Sequence, residues 1–217
     1  MSDSLHKAFS PAMLGKLPLK NRILKAATYE GKTPDGIPGE LLLNFHKGIV
    51  ASGTAMTTIG YCTTEADGRI NDQMMWIHEG IRDRLTHMNS ELKKTAPDTA
   101  ISGQMTHCGN FSKNRKMQRL KRPLGPSRQF NMLGAASGMP FAGAMSVGDI
   151  DYLVQTYSDA AALMKATGFD AVEIHFSHGY GISQFISPKT NRRTDNYGGS
   201  LANRMRLPLR VMDAVRR

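Results

Sequence analysis

The chain has 217 residues, of which 40% are hydrophobic and 21% are charged, a composition typical of globular proteins. Its apolar runs are shorter than the roughly 18 residues of a membrane helix, and its N-terminus lacks a basic segment followed by an apolar one, so we expect neither a membrane span nor a secretory signal. The two cysteines, Cys62 and Cys108, have no metal-ligand spacing, and we expect reduced thiols in a cytoplasmic protein.

The net charge is +10 at pH 7, and much of the excess lies in residues 113–122, which hold six Lys or Arg side chains and no acid. Such a run can attract nucleic acid, and its binding would then weaken with salt. It can equally be a solvated loop, or one that meets the phosphates of a nucleotide cofactor. Because no nucleic-acid-binding motif accompanies the run, we expect partners to be small molecules rather than nucleic acid or membrane.

Short apolar runs alternate with helical patterns, an order that predicts a parallel sheet with crossover helices. The predicted strands are residues 22–27, 54–60, 99–105 and 169–175. Apolar residues at steps of three or four predict helices over residues 39–51, 77–94, 147–167 and 201–217. Gly168 is suited to end the third helix. Three histidines in helical or terminal segments, His6, His46 and His87, are expected to be solvated.

Four strand–helix units of about 50 residues are half of an eightfold barrel. An open flavodoxin-like sheet gives the same alternation, but its loops are commonly about 2–6 residues long. Here the long segments, residues 106–146 and 176–200, both follow strands, where barrel enzymes carry their chemistry. We therefore predict an α/β chain that forms about the first four units of a (β/α)8 TIM barrel, with irregular structure in both long segments.

The fourth predicted strand ends in a cluster of chemically useful groups. His175 closes the strand, and His178 and Tyr180 follow three and five residues later. Because side chains alternate along a strand, His175 shares a face with Glu173, opposite the aliphatic residues on either side of that glutamate. The aliphatic face can pack under the outer helices, so the polar face is expected to meet the barrel axis near its mouth.

These groups suit acid–base and electrostatic catalysis. Neutral imidazole N–H groups can hold a carbonyl oxygen and stabilise the negative charge that grows on it, and a tyrosine hydroxyl can deliver a proton to a nearby carbon. A single histidine at a strand end is more often structural or merely exposed, but three such groups within six residues favour a catalytic site. Zinc at His175 and His178 is the rival interpretation; no third ligand is evident in the nearby sequence, and we predict no metal.

The segment FDAVEIHFSHGYGISQFISPKTNRRTDNYGGSLANRMR closely resembles the Old Yellow Enzyme family of FMN-dependent ene-reductases, also described as NADH:flavin oxidoreductases. That family has a (β/α)8-barrel fold, and its fourth strand ends in His-x-x-His or His-x-x-Asn with a tyrosine two residues later. The resemblance continues without a gap through Asn191, Arg193, Asp195, Tyr197, Gly198, Gly199, Ser200, Asn203 and Arg204.

Weaker matches lie upstream, in the expected order. LKNRILKAATYE resembles the family's first strand, which implies that Ala27 and Thr28 contact FMN through their backbone, although the family often has proline where Ala27 stands. ASGTAMTTIGYCTTEADGRI resembles the second strand and places Gly60 at a flavin-contacting position. SGQMTHCGN resembles the third-strand motif, in which Gln104 would bind the pyrimidine edge of the flavin with an amide that both donates and accepts. Asn110 replaces the family's usual arginine.

The resemblance implies that NAD(P)H reduces FMN and that a hydride then passes to the β-carbon of an activated alkene. His175 and His178 would bind the activating carbonyl or nitro oxygen, Tyr180 would protonate the α-carbon, and His175 would also contact the cofactor. The flavin supplies the redox chemistry, while the protein orients and polarises the substrate. The substrate and the choice between NADH and NADPH stay open.

We expect residues 1–217 to be the N-terminal half of a single FMN-binding barrel domain, without the later strands whose loops usually dock phosphate. Three explanations are open: the chain is a piece of a longer protein, the other half is a separate chain, or the half barrel pairs with a copy of itself. The alternative function is a catalytically inactive half barrel, or a subunit that needs a partner half. An iron–sulfur module beyond residue 217 is also compatible with the resemblance.

Overall fold

The computed structural model describes residues 3–113 and 122–217, with side chains from residue 6 onward. Its central sheet contains four strands in chain order: β1 (Leu24–Lys25), β2 (Met56–Thr63), β3 (Ala100–Thr106) and β4 (Ala171–Ile174). All neighbouring pairs are parallel, so the carboxyl ends of the four strands lie at one edge of the sheet. Each strand overlaps its predicted range, and the predicted parallel arrangement is confirmed.

A longer helix follows each strand: α1 (Glu40–Ala51), α2 (Arg82–Thr95), α3 (Val147–Ala166) and α4 (Arg206–Arg216). Helix α1 packs against α2, and α3 packs against α4. A capping box at Ser146 and Asp149 starts α3, and Gly168, with φ of +92°, follows the helix end as predicted. Short 3-10 turns lie in the loops at Pro34–Gly36, Ala66–Gly68, Glu79–Ile81 and Gly109–Phe111.

The hydrophobic core lies between the sheet and these helices. Buried Ile101 of β3, Leu85 of α2 and Tyr157 of α3 belong to one cluster. Val172 and Ile174 pack against the same cluster, so the aliphatic face of β4 meets the helices as predicted. Because each buried aliphatic side chain contributes roughly 1.5–3 kcal/mol, this layer fixes which face of each strand remains for the site.

His46 is an exception to the expected solvation of the helical and terminal histidines. His6 and His87 are exposed, whereas His46 is fully buried on the core side of α1. Its Nδ1 atom lies 2.8 Å from the Thr57 hydroxyl, and its Nε2 atom lies 3.0 Å from a carboxylate oxygen of Glu30. The prediction was wrong for His46 because its polar partners come from the first loop and β2, which place them under the helix.

A hairpin covers the amino end of the sheet. It follows the helix Asp3–Phe9 and consists of strands Ala12–Leu14 and Leu17–Leu19, for which we predicted no element. Leu19 belongs to a small buried cluster with Ala55 and Met56, at the start of β2. The hairpin therefore lies at the end of the strands opposite their carboxyl ends.

The expectation of an irregular segment over residues 106–146 is only partly correct. A helix at Met132–Ala135 lies there, and a small sheet places the strand Phe141–Ala144 between Leu124–Gly125 and Gln129–Phe130. Strands of two to four residues are too short to produce a period that sequence patterns reveal. Residues 114–121, most of the basic run, lie outside the described residues.

The segment 176–200 also holds structure that was not predicted. The helix Gly181–Ile186 follows β4 after residues 175–180, and the predicted C-terminal helix is divided into Leu201–Arg204 and α4. The Arg204 guanidinium donates to the carbonyl of Ile186 at 2.7 Å, which joins the helix Leu201–Arg204 to the helix Gly181–Ile186. Among the helices that the structure describes, none has the length and apolarity needed to cross a membrane.

Candidate active site

The carboxyl ends of β1 to β3 bring Ala27, Gly60 and Gln104 close together. Ala27 follows β1, Gly60 lies near the end of β2, and Gln104 is its neighbour on β3. A Cβ atom at Gly60 would lie 2.7 Å from the Ala27 Cβ and 3.5 Å from the Gln104 Cβ. Thr28 is exposed beside Ala27. Ala27, Gly60 and Gln104, predicted to contact a cofactor, are thus brought together on one face.

Gln104 is joined to the fourth strand by its side chain. Gln104 and Glu173 are paired in register, and the Gln104 amide donates to the Glu173 carboxylate at 2.5 Å. Gln104 is buried and Glu173 is exposed. Because Glu173 and His175 share a strand face, the amide and the histidine cluster lie on the same side of the sheet.

His175 and His178 form a hydrogen-bonded pair. The His175 Nε2 and His178 Nδ1 atoms are 3.1 Å apart, and the backbone amide of Ser177 donates to His175 Nδ1 at 3.3 Å. Since Nδ1 accepts, a neutral His175 carries its proton on Nε2 and donates it to His178. His175 is 6% exposed, whereas His178 is exposed and has a φ of +56°.

The electrostatic environment favours the neutral form of His175. Burial lowers its pKa below the usual range, and the neighbouring His178 lowers it further, while Glu173 opposes both effects. At neutral pH the ring is therefore an uncharged hydrogen-bond donor, the state required to hold an oxygen that gains negative charge.

Tyr180 completes the predicted cluster. Its ring centroid lies 5.4 Å from that of His175 and 6.3 Å from that of His178, both edge to face. Tyr180 is half-buried and stands at the N-cap of the helix Gly181–Ile186. The structure thus brings together the three residues that the sequence singled out, on the side of the sheet that carries Gln104.

A second tyrosine in the cluster was missed from the sequence. The hydroxyl of Tyr61 lies 3.0 Å from that of Tyr180, and its ring lies 6.1 Å from that of His175. Tyr61 lies beside Gly60 near the end of β2. This position was the signal available in the sequence, since the carboxyl ends of neighbouring parallel strands lie close together.

Gln184 holds the loops after β3 and β4 together. Its amide oxygen accepts from the backbone N–H of Asn110 at 2.8 Å, and its amide nitrogen donates to the carbonyls of Gly179 at 2.6 Å and Cys108 at 3.2 Å. The N–H of Gly181 donates to the carbonyl of His107 at 2.7 Å. These buried contacts fix the chain on both sides of Tyr180. The sequence did not indicate Gln184.

Asn110, where the resemblance expects arginine, is fully buried. A Cβ at Gly125 would overlap its amide oxygen, so the side chain packs closely against the strand Leu124–Gly125 of the small sheet. Both cysteines are buried free thiols, and burial raises the pKa of each. Cys108 lies in the loop after the Gln104 strand, and its raised pKa keeps it protonated at neutral pH, so it is not a thiolate in the site. Over the described ranges, no three His, Cys, Asp or Glu side chains gather as a metal site requires.

The chain matches the NADH:flavin oxidoreductase / NADH oxidase family over residues 7–217. Among curated proteins it is 35% identical over 210 residues to 4,4'-dithiodibutanoate disulfide reductase of Rhodococcus erythropolis, covering 96% of this chain and 50% of that protein. It is 33% identical over 216 residues to NADPH dehydrogenase of Bacillus licheniformis, covering 98% of this chain and 60% of the relative.

Solved structures agree with these matches. Morphinone reductase in complex with tetrahydroNAD superposes with a TM-score of 0.85 at 28% identity, covering 96% of this chain and 60% of that one. Old Yellow Enzyme from Pichia sp. AKU4542 gives 0.85 at 25% identity, with 96% and 56% covered. The predicted TIM-barrel class is confirmed, and the chain spans about half to three fifths of the length of these relatives. The chain belongs to the NADH:flavin oxidoreductase / NADH oxidase family.

Proposed function

We propose that this chain supplies the catalytic part of an FMN-dependent oxidoreductase that uses NAD(P)H to reduce the activated C=C bond of α,β-unsaturated carbonyl compounds. The observation that carries the proposal is the convergence of His175, His178 and Tyr180 on the sheet face that also holds Gln104. Family membership supports the flavin and the nicotinamide donor, and the substrate class rests on the chemistry of the three side chains.

The residues at the strand ends suit a flat, partly polar cofactor. Ala27, Thr28 and Gly60 would lie against the ring system, because their small side chains let a planar group approach the backbone. The Gln104 amide, which can donate and accept, would bind the polar edge of the ring system. To do so it would give up its hydrogen bond to Glu173. His175 would contact both cofactor and substrate. When bound, FMN would supply the hydride chemistry that links the nicotinamide donor to the substrate.

The substrate would bind through its activating oxygen. His175 donates from Nε2, and the oxygen would replace His178 Nδ1 as the acceptor of that proton. His178 would then turn its own N–H toward the same oxygen. Two N–H donors stabilise the charge that develops there, and Tyr180 would donate its proton to the α-carbon.

Residues 1–217 would be the N-terminal half of one barrel domain. Over the described residues, β1 and β4 each have one neighbour in the central sheet, so both outer edges are open to further strands. This observation also supports the second candidate, a half barrel that is inactive until it pairs with another half. The two candidates differ in what completes the barrel, which is further strands of the same chain in the first and a separate half in the second.

The test combines intact-mass measurement of the native protein with its visible spectrum and a substrate panel. We expect a yellow protein that NAD(P)H bleaches and that an α,β-unsaturated ketone reoxidises. A protein that remains colourless with added FMN, whatever its mass, would contradict the proposal. The panel includes 4,4'-dithiodibutanoate, because a relative is named for reducing it. Turnover of that disulfide without turnover of any alkene would overturn the substrate class while leaving the flavin chemistry in place.

A further inference from the structure

Tyr61 has no role in the proposed function, yet it touches the proposed proton donor. Its hydroxyl oxygen lies 3.0 Å from that of Tyr180, and the two ring centroids are 5.5 Å apart with planes tilted by 41°. The distance is that of a hydrogen bond between two phenols. The side chain is half-buried and is flanked by the ring of Tyr29, whose centroid lies 5.6 Å away.

A bulge in β2 places Tyr61 there. Ile59 pairs with Gly103 and Cys62 pairs with Met105, so β2 advances three residues while β3 advances two. The additional residue lies in the Gly60–Tyr61 stretch, and bulges of this kind change the direction of a side chain near the end of a strand. The contact is therefore built into the strand pairing.

The two environments decide which phenol keeps its proton when one of them ionises. Each phenol has one proton to donate. Burial raises the pKa of Tyr61, and its hydrogen bond to Tyr180 raises that pKa further. Burial also raises the pKa of Tyr180, but its bond to Tyr61 lowers it. Tyr61 is thus the partner that keeps its proton when the pair ionises, so it donates to the Tyr180 oxygen once Tyr180 has lost its proton.

We propose that Tyr61 is a positioning residue that donates a hydrogen bond to the Tyr180 oxygen and stabilises the Tyr180 phenolate left after proton transfer. This proposal rests on the proposed function. In the step concerned, the Tyr180 O–H bond breaks and its proton forms the new C–H bond at the α-carbon, with the hydride at the β-carbon supplied by flavin that NAD(P)H has reduced. The electron pair stays on the Tyr180 oxygen, which accepts from Tyr61 until water returns a proton.

The direct test measures the ionisation of Tyr180. The native protein is prepared with tyrosine labelled with carbon-13 at Cζ, and the Tyr180 signal is identified by its loss in Tyr180→Phe. In Tyr61→Phe, which removes one oxygen and keeps the ring, we expect the pKa of Tyr180 to rise by about one unit, the effect of one hydrogen bond. Tyr152→Phe, on the exposed face of α3, is the matched control and is expected to leave the Tyr180 titration unchanged. An unchanged or lower pKa in Tyr61→Phe overturns the proposal.

A kinetic test separates this proposal from the proposed function. In Tyr61→Phe, flavin reduction by NAD(P)H should proceed at the native rate, whereas alkene reduction should fall about tenfold, with its pH profile moved in the same direction as the Tyr180 pKa. An equal fall in the rates of flavin reduction and alkene reduction would contradict a role that acts through Tyr180. A protein that binds no flavin refutes the proposed function, and the labelled-tyrosine titration still decides whether Tyr61 donates to Tyr180.

Discussion

His175 and His178 are joined by a hydrogen bond of 3.1 Å whose direction is set by a third group. The Ser177 amide occupies the Nδ1 atom of His175, so the proton of the neutral ring is on Nε2. The backbone that carries the pair thus fixes which nitrogen of His175 donates, before any substrate is present.

The first prediction concerns the loss of this donor. His175→Ala should lower kcat/KM for alkene reduction by about 100-fold to 1,000-fold, as removal of one donor to a developing oxyanion does in other enzymes. Stopped-flow measurement of the two half-reactions checks this, since reoxidation by the alkene should suffer more than reduction by NAD(P)H. His178→Asn keeps an N–H donor at the second position and should lose no more than about tenfold. A larger loss in His178→Asn than in His175→Ala would contradict the assignment.

The second prediction concerns pH. Because burial and His178 lower the pKa of His175, the folded protein binds fewer protons at this site than the unfolded chain does. The resulting stability is fully present above the unfolded pKa of about 6.5 and is lost as the pH falls through the lower folded value. Urea unfolding at about pH 8 and about pH 5 should show a larger fall in midpoint for the native protein than for His175→Gln. An equal fall in midpoint for the two proteins would show that His175 does not contribute to the pH dependence of stability.

The face of β4 could be predicted because a strand has a strict period of two, and packing of Val172 and Ile174 against the helices leaves Glu173 and His175 on the other side. The position of the Tyr61 side chain could not be predicted, because a bulge interrupts that period. The partner of its hydroxyl also lies 119 positions away in the chain. The contact depends on the pairing of strands, which a local pattern does not contain.

His46 and Gln184 show two further limits of sequence patterns. His46 lies four residues from both Leu42 and Val50 in α1, so the helical period places it on the buried side. The prediction of solvent exposure came from its residue type. Its burial depends on Glu30 and Thr57, which the fold supplies. Gln184 binds backbone atoms of two loops, and no side-chain motif marks such a contact.

The third prediction concerns the close approach of Gly60 to Ala27 at the strand ends. Gly60→Ala places a Cβ 2.7 Å from the Ala27 Cβ, and forcing this contact should cost roughly 1–3 kcal/mol of stability and weaken flavin binding. Gly48→Ala is the control, since its Cβ would meet no atom within 4 Å and Gly48 lies inside α1. That variant should gain about 0.5–1 kcal/mol, because alanine is the better helix former. Urea unfolding and FMN titration measure both effects, and the same sign in the two variants would refute the steric argument.

The fourth prediction concerns the clamp formed by Gln184. Gln184→Leu fills a similar space but leaves the N–H of Asn110 and the carbonyls of Gly179 and Cys108 without their side-chain partner. Each unpaired buried group costs about 1–3 kcal/mol, so we expect at least about 3 kcal/mol of lost stability in urea unfolding.

Gln155→Leu is the matched control for Gln184→Leu, because Gln155 is also a glutamine with an amide hydrogen bond, but at the surface of α3 to Asp159. Its loss should change stability by no more than about 0.5 kcal/mol. Since Gln184 fixes the loops on both sides of Tyr180, its replacement should also raise KM for the alkene and alter the near-ultraviolet circular dichroism of the tyrosines. If Gln184→Leu were as stable as Gln155→Leu, the two loops would have to be held by other contacts, and the position of Tyr180 would not depend on this amide.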